Sequence, residues 1–338
     1  MKKFIKIAGL LAGLTIAAAA VAQIVINPPV PDIHINGHTY TNQNWQLNSA
    51  ATLAAIANDV GLITAQYPQG RFSPRVVLTS DISLYVSTGG SDANNCLVNN
   101  PCASIQRAWD LLQGGYDLAL HTAHIEIGAG NYTAGGLSPS GYLWLTGGIL
   151  GQKNDQSIIF HGNSSNPAGV TLTGGAGLAN VVVAQGSYAT FDGVKLVGPP
   201  TAVCLFADQA ARILIKNVEF GSCGYQLTAD LAGAIIGVGP ITFSGANIQG
   251  ARAGNFGLIF MNTDFGATTT FASGASYSSA FVVATVLGAV NWVTPFTGSF
   301  TGARYYVDGN GVIYTAGQGA NYFPGTQAGT TYTGGQYM

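Results

Sequence analysis

The chain has 338 residues, only 8% of them charged, a formal net charge of −2, and 47 glycines. Twelve basic against fourteen acidic residues leave no footprint of the kind that nucleic-acid binding requires. Glycine mixed with abundant Thr, Ser, Asn and β-branched residues suits a corner-rich β protein, and one such architecture accounts for the length without a second, catalytic domain.

In chain order, Lys2, Lys3 and Lys6 precede an apolar run from Ile7 to Ala20 that ends in Ala20-Val21-Ala22. This is the pattern of a cleaved secretory leader over 1–22, and the run falls short of a membrane span. Its removal takes three lysines, leaving nine basic against fourteen acidic residues and a formal charge of −5. The mature chain is expected from Gln23, extracellular or periplasmic, with no membrane association. Residues 23–80 form an N-terminal region. Its proline-rich start carries the turn-forming pair Asn36-Gly37, which predicts a small hairpin. After Asn48 or Ser49, Leu53, Ile56, Val60 and Ile63 fall at helical spacing. That amphipathic helix is expected to cover the open end of a solenoid.

From residue 81 the pattern changes. SLYVSTGGSDANN (83–95), NPCASIQRAWDLL (100–112) and HIEIGAGNYT (124–133) read as strand, loop, helix and strand. Ile105, Ala108, Trp109 and Leu112 make one helix face, and Gly114-Gly115 ends it. Strand-like runs follow at 142–145, 157–160, 170–173 and 180–184, separated by Gly, Asn, Ser and Pro. Then one phrase recurs: FDGVKL from Phe191, IKNVEF from Ile215, FSGANI from Phe243, FASGASY from Phe271 and FTGARY from Phe300. The spacing of those starts falls in the range that marks stacked repeats. Large apolar residues bracket a Gly or Asn, the residues that accept a left-handed backbone. Each phrase therefore reads as two inward-facing strands meeting at a corner, and stacked units bury what one unit cannot. The expectation is that Phe191, Ile215, Phe243 and Phe300 pile into one column.

Residues 305–307 and 312–314 around Asp308-Gly309-Asn310-Gly311 read as a hairpin, and the Gly/Thr/Tyr-rich remainder as a flexible tail. The predicted fold is all-β: a parallel β-helix over 81–306 with N-terminal capping helices and a C-terminal hairpin and tail over 307–338.

The repeated phrase resembles the coil pattern of right-handed parallel β-helix proteins of the pectate-lyase-like superfamily, and residues 83–133 resemble the opening segment of such proteins. The C-terminal NGVIYTAGQGANYFPGTQAGTTYTGGQYM resembles segments of phage and prophage tailspike- or tail-fibre-like proteins of alphaproteobacteria. The first resemblance implies the fold and little about chemistry, because the same coil carries lyases, hydrolases, adhesins and tailspikes. The second implies virion association and a homotrimer. Together they imply polysaccharide or a cell-surface glycan as partner.

Four cysteines in an exported chain read as two pairs, Cys96 with Cys102 and Cys204 with Cys223, in preference to metal ligation, although four cysteines allow three connectivities. Lyases and hydrolases of this fold need carboxylates converging on one groove. The catalytic candidates are Asp208 with Arg212, then Asp230 and Asp264. Laying FDGVKL on IKNVEF places Asp192 over Lys216 and Lys195 over Glu219, which reads as ordinary stacked ion pairs. His34 with His38 and His121 with His124 lack a third ligand, and His161 stands alone, so no metal and no cofactor are assigned. Tyr188, Tyr225 and Tyr277 are the aromatic candidates for stacking on sugars. The sequence therefore favours a non-catalytic, tailspike- or adhesin-like β-helix that binds a surface glycan or serves as a structural fibre. The alternative is a secreted polysaccharide lyase or glycoside hydrolase.

Overall fold

A computed structural model describes the backbone of Ile33–Ile35 and His38–Tyr40, and residues 75–175 and 180–338. The leader and the helix expected over 53–63 lie outside the described residues. Ile33–Ile35 and His38–Tyr40 pair antiparallel, Ile33 opposite Tyr40, at the hairpin read from Asn36-Gly37.

Arg75–Met338 forms one unit, a right-handed parallel β-helix with three sheets. Among the described residues, sheet 1 has ten strands, from Ile82–Val86 to Gln336–Tyr337; sheet 2 has seven, from Gly130–Tyr132 to Phe296–Thr297; sheet 3 has nine, from Leu143–Thr146 to Thr330–Thr331. The chain visits them in rotation. Tyr188–Asp192 lies in sheet 1, Lys195–Val197 in sheet 2 and Val203–Asp208 in sheet 3, and Arg212–Lys216 then returns to sheet 1 beside Tyr188–Asp192.

Inward residues form columns because each strand sits in register on the one before it. In sheet 1 the column runs Leu84, Ile125, Phe160, Phe191, Ile215, Gly237, Met261, Trp292, every member buried. In sheet 2 it runs Tyr132, Leu172, Leu196, Phe220, Phe243, Phe271. Sheet 3 carries a narrow column, Ala184, Ala207, Ala229, Ala253, Ala284, Val307. Aromatic rings meet between columns: Phe243 lies 5.2 Å from Phe281 and 6.0 Å from Trp292. Burying this many large apolar groups, at about 1.5–3 kcal/mol each, is what one coil could not do alone.

The helix Ile105–Gly115 buries the predicted face of Ile105, Ala108, Trp109 and Leu112 and packs on the strands Ile82–Val86, Ala123–Ile127 and Leu143–Thr146. Its start is fixed by Asp92, whose carboxylate accepts from Ala103 N (3.0 Å), Ser104 N (2.8 Å) and Ser104 Oγ (2.7 Å). Ser104 in turn accepts from Arg107 N as the N-cap.

Two expectations are corrected. Phe191, Ile215, Phe243 and Phe300 are all buried, yet they do not form one column. Phe191 stacks on Ile215 in sheet 1, Phe243 stacks on Phe220 in sheet 2, and Phe300 begins a sheet 3 strand. The first two phrases turn from sheet 1 to sheet 2 at Gly193 (φ 72°) and Asn217 (φ 50°), whereas the next two turn from sheet 2 to sheet 3 at Gly245 (φ 78°) and Gly274 (φ 82°). Any short corner between two inward-facing strands needs the same residues, so the phrase marks corners without saying which. The true coil from Ile215 closes at Gly237, before Phe243 is reached, so the step read from the phrase overshoots onto the next side.

The hairpin at 305–314 is also absent. Phe300–Val307 and Val312–Tyr314 pair parallel with different sheets, and Thr330–Thr331 and Gln336–Tyr337 add to sheets 3 and 1. The tail is thus a further coil. Tyr337 stacks on Tyr305 with ring centroids 3.9 Å apart.

The chain contains a second repeat that the sequence reading missed. Five successive turns from sheet 3 to sheet 1 take two left-handed residues each: Gln209-Ala210, Leu231-Ala232, Asn255-Phe256, Val286-Leu287 and Gly309-Asn310. A small residue follows, Ala211, Gly233, Gly257, Gly288 or Gly311, whose N–H donates back to the carbonyl that opens the turn, closing a tight turn of the primed type. A Cβ at any of those four glycines would stand 2.0–2.4 Å from the alanine carbonyl oxygen of the coil before.

Candidate functional site

The corner repeat explains two of the predicted carboxylates. Asp208 and Asp230 are the first residues of successive turns, accepting from Ala211 N and Gly233 N through their carbonyls. The Asp208 side chain is nearly buried and accepts from Gln185 Nε2 (3.2 Å); that of Asp230 accepts from Leu231 N (3.1 Å). Asp264 lies exposed in a 3-10 turn between sheets 1 and 2, a different edge of the helix. Arg212 is bonded to Asp155 rather than to Asp208. The described structure does not bring these candidates together on one groove.

The aromatic candidates divide. Tyr188 is 40% exposed and Tyr225 is half-buried. Tyr277 is a core residue: its OH donates to the buried Gln226 Oε1 (3.0 Å), and burial pushes its pKa well up. The register shift between Ser276 and Ala280 turns it inward, against Phe281 and Phe300. Both expected disulfides are present, Cys96–Cys102 and Cys204–Cys223. Among the described residues no group of three or more His, Cys, Asp or Glu is arranged to hold a metal, and no helix is long and apolar enough to cross a membrane.

What the structure does assemble lies along the outer side of sheet 1. At the sheet 3 edge, Gln152, Lys153, Asn154, Asp155, Tyr188 and Arg212 line a cleft of about 380 Å³. Tyr188 and Arg212 are register neighbours on adjacent strands. Asp155 comes from the loop before Ile158–His161; its side chain is 9% exposed and accepts from Arg212 Nε. The loop is held by Ser157 Oγ, which accepts from Lys153 N and Asn154 N (both 3.1 Å), and by the Thr190 hydroxyl donating to Asp155 O (2.9 Å). Gln152 Nε2 donates to Tyr188 O (2.6 Å). A half-exposed aromatic ring thus stands beside a fixed guanidinium, a carboxylate and an amide. Asp155 had no sequence signal, since its partner Arg212 is distant in the chain and the loop lies outside any repeat.

At the sheet 2 edge, Glu126, His161, Asp192 and Lys216 occupy one register position on four successive coils. His161 Nδ1 lies 3.0 Å from Glu126 Oε2, its Nε2 lies 3.9 Å from Asp192 Oδ2, and Lys216 Nζ lies 3.1 Å from that same oxygen. Asp192 Oδ1 accepts from Asn217 Nδ2 and Ser164 Oγ (both 2.8 Å). Burial alone would raise the Asp192 pKa, but the bonds from Asn217 and Ser164 and the Lys216 ammonium outweigh it and hold the carboxyl below its ordinary value. Lys195–Glu219 (2.7 Å) and Asp192–Lys216 are the two pairs read from the repeat. His161, in contrast, is not alone. The coils on either side of it, from Glu126 to His161 and from His161 to Asp192, differ in length and share no phrase that would align them.

Ser164 reaches this ladder through two glycines. Gly162 N donates to Asp192 O (2.8 Å) and Asn163 N to Gly193 O (2.7 Å). A Cβ on Gly193 would stand 2.4 Å from Ser164 N, and one on Gly162 2.3 Å from Gly193 O. Only at these two positions free of side chains can the loop lie on the corner.

Comparison with family models, with curated proteins and with solved structures gives no match, so any functional reading stands on this geometry.

Proposed function

We propose that the chain is a glycan-recognising β-helix of the exported, tailspike- or adhesin-like kind, which holds an extended surface polysaccharide along the outer side of sheet 1 without cutting it. The observation that carries this reading is the cleft at Tyr188. A sugar ring offers an apolar face and equatorial hydroxyls; the half-exposed phenol suits the first, and Gln152, Asn154, Asp155 and Arg212 suit the second. The parallel stack of strands repeats at about 4.8 Å, giving a straight face to an extended polymer. Two disulfides belong with an oxidising compartment, extracellular or periplasmic. The lyase or hydrolase reading draws no support from Asp208, Asp230 and Asp264, which serve separate corners.

The test is calorimetric titration with a panel of bacterial surface polysaccharides. The wild type should bind at least one, and Tyr188→Ala should weaken it about 10-fold, the equivalent of about 1.4 kcal/mol for a lost ring contact. Neither reducing ends nor unsaturated uronates should appear. Binding unchanged by Tyr188→Ala, or chain cleavage, would remove the reading. The tailspike-like resemblance of the C-terminal segment carries a homotrimer with it, and a sedimentation-equilibrium mass of a single chain would remove that part.

A further inference from the structure

We propose that Glu126, His161 and Ser164 form an acyl-transfer site, with Ser164 as nucleophile, that removes ester-linked acyl groups. The three side chains stand in the order such chemistry needs: Glu126 Oε2 lies 3.0 Å from His161 Nδ1, and Ser164 Oγ lies 3.4 Å from His161 Nε2. With Nδ1–H donating to the carboxylate, Nε2 carries the lone pair and faces the hydroxyl.

The neighbours fit the role. The Ser164 proton has two acceptors in reach, Asp192 Oδ1 at 2.8 Å and His161 Nε2. Asp192 is tied as an anion by Asn217 and Lys216, which leaves the imidazole as the better base. Once the ring takes the proton, it stands between two carboxylates, Glu126 at 3.0 Å and Asp192 at 3.9 Å, and both stabilise the imidazolium. Ser164 N–H has no hydrogen-bond partner among the described residues. His161 and Ser164 are half-exposed, so an acyl group projecting from a bound chain can reach them.

Oγ attacks the ester carbonyl carbon while its proton passes to Nε2. The C–O bond to the alcohol breaks as Nε2 protonates the leaving oxygen. Water, deprotonated by the same nitrogen, then releases the acid and regenerates Ser164. No oxidant or cofactor enters. The acyl-transfer class follows from these residues; that the acyl group is an ester borne by a glycan rests on the reading of the Tyr188 cleft.

The experiment uses the full chain with two probes, a fluorophosphonate and p-nitrophenyl acetate. Intact-mass and peptide analysis should place one phosphonyl adduct on Ser164. Hydrolysis of p-nitrophenyl acetate should fall at least 100-fold in Ser164→Ala and His161→Gln, and at least 10-fold in Glu126→Gln, with β-sheet circular dichroism unchanged. Ser164→Ala removes a half-exposed hydroxyl and keeps the backbone, and labelling of the wild type needs no variant to fold. A wild type unlabelled at Ser164, or a Ser164→Ala variant as fast as wild type, overturns the assignment. Esterase activity in a protein that binds no polysaccharide would leave this site standing and remove the glycan reading; polysaccharide binding without labelling would do the reverse.

Discussion

Replacing Gly257 by alanine tests the stacking of corners most sharply. A Cβ there would stand 2.0 Å from Ala229 O, 2.4 Å from Ala229 C and 2.8 Å from Gly254 O, all backbone atoms. Relief requires a shift of more than about 1 Å, since ordinary carbon–oxygen contacts lie at about 3.3 Å or beyond. That shift strains Gly254 N→Ala229 O (3.0 Å), Gly257 N→Gly254 O (2.6 Å) and Leu258 N→Gly233 O (2.9 Å). Two or three weakened bonds at about 1 kcal/mol each, with about 1–3 kcal/mol of overpacking, give a loss of about 3–6 kcal/mol. Gly274 is the control for backbone conformation alone: φ is +82° and a Cβ meets nothing within 4 Å, so alanine should cost about 1 kcal/mol. Gly114 lies in the helix with open space around it, and alanine there should be neutral or stabilising by up to about 1 kcal/mol. Urea unfolding midpoints at constant m rank the three variants. A Gly257→Ala protein within about 1 kcal/mol of Gly274→Ala would refute the reasoning.

Three further outcomes follow from named contacts. Asp92→Ala removes three hydrogen bonds at the start of the helix and should lower stability by about 1–3 kcal/mol in urea unfolding; no measurable change would contradict that role. Because the Asp192 carboxyl is held below its ordinary pKa, its stabilisation is present above the unfolded-state value and fades as pH falls through the lower folded value. Asp192→Asn should flatten the acid limb of the stability–pH curve, and an unaltered limb would count against the ladder. Cys204–Cys223 closes a loop with a sequence separation of 19 and Cys96–Cys102 one of 6, so in the chain-entropy model losing the first costs about 3 kcal/mol and losing the second about 2 kcal/mol. All four cysteines are fully buried, so the paired Cys→Ala proteins compare fairly, and the reverse order in thermal unfolding would contradict the loop argument.

How much was legible depended on whether coils kept an even length. Residues 191–220 cover two coils whose corners fall at the same point of the phrase, so the sequence placed Phe191 on Ile215, Asp192 on Lys216 and Lys195 on Glu219 correctly. Beyond that, a short coil from Ile215 to Gly237 and a long one from Met261 to Trp292 put the same corner phrase on different edges, and the single column became three. The corners ending in Gly233, Gly257 and Gly288 were hidden because their left-handed positions include Leu231, Ala232, Phe256, Val286 and Leu287, residues that normally avoid that conformation; only the last, Gly309-Asn310, read as a turn. Their signal was the glycine closing each turn. The functional face was least legible. Asp155 reaches Arg212, and Glu126 reaches His161, across early coils with no repeating phrase, while Tyr277 was turned inward by a bulge that composition cannot reveal.

Hydrogen exchange on the protein with and without a bound surface polysaccharide tests the glycan-binding face most directly. Protection should concentrate in peptides covering 152–157, 186–192 and 210–216, the strands and loop that build the outer side of sheet 1. Protection confined to the outer strands of sheet 3, or to the C-terminal coil, would contradict it.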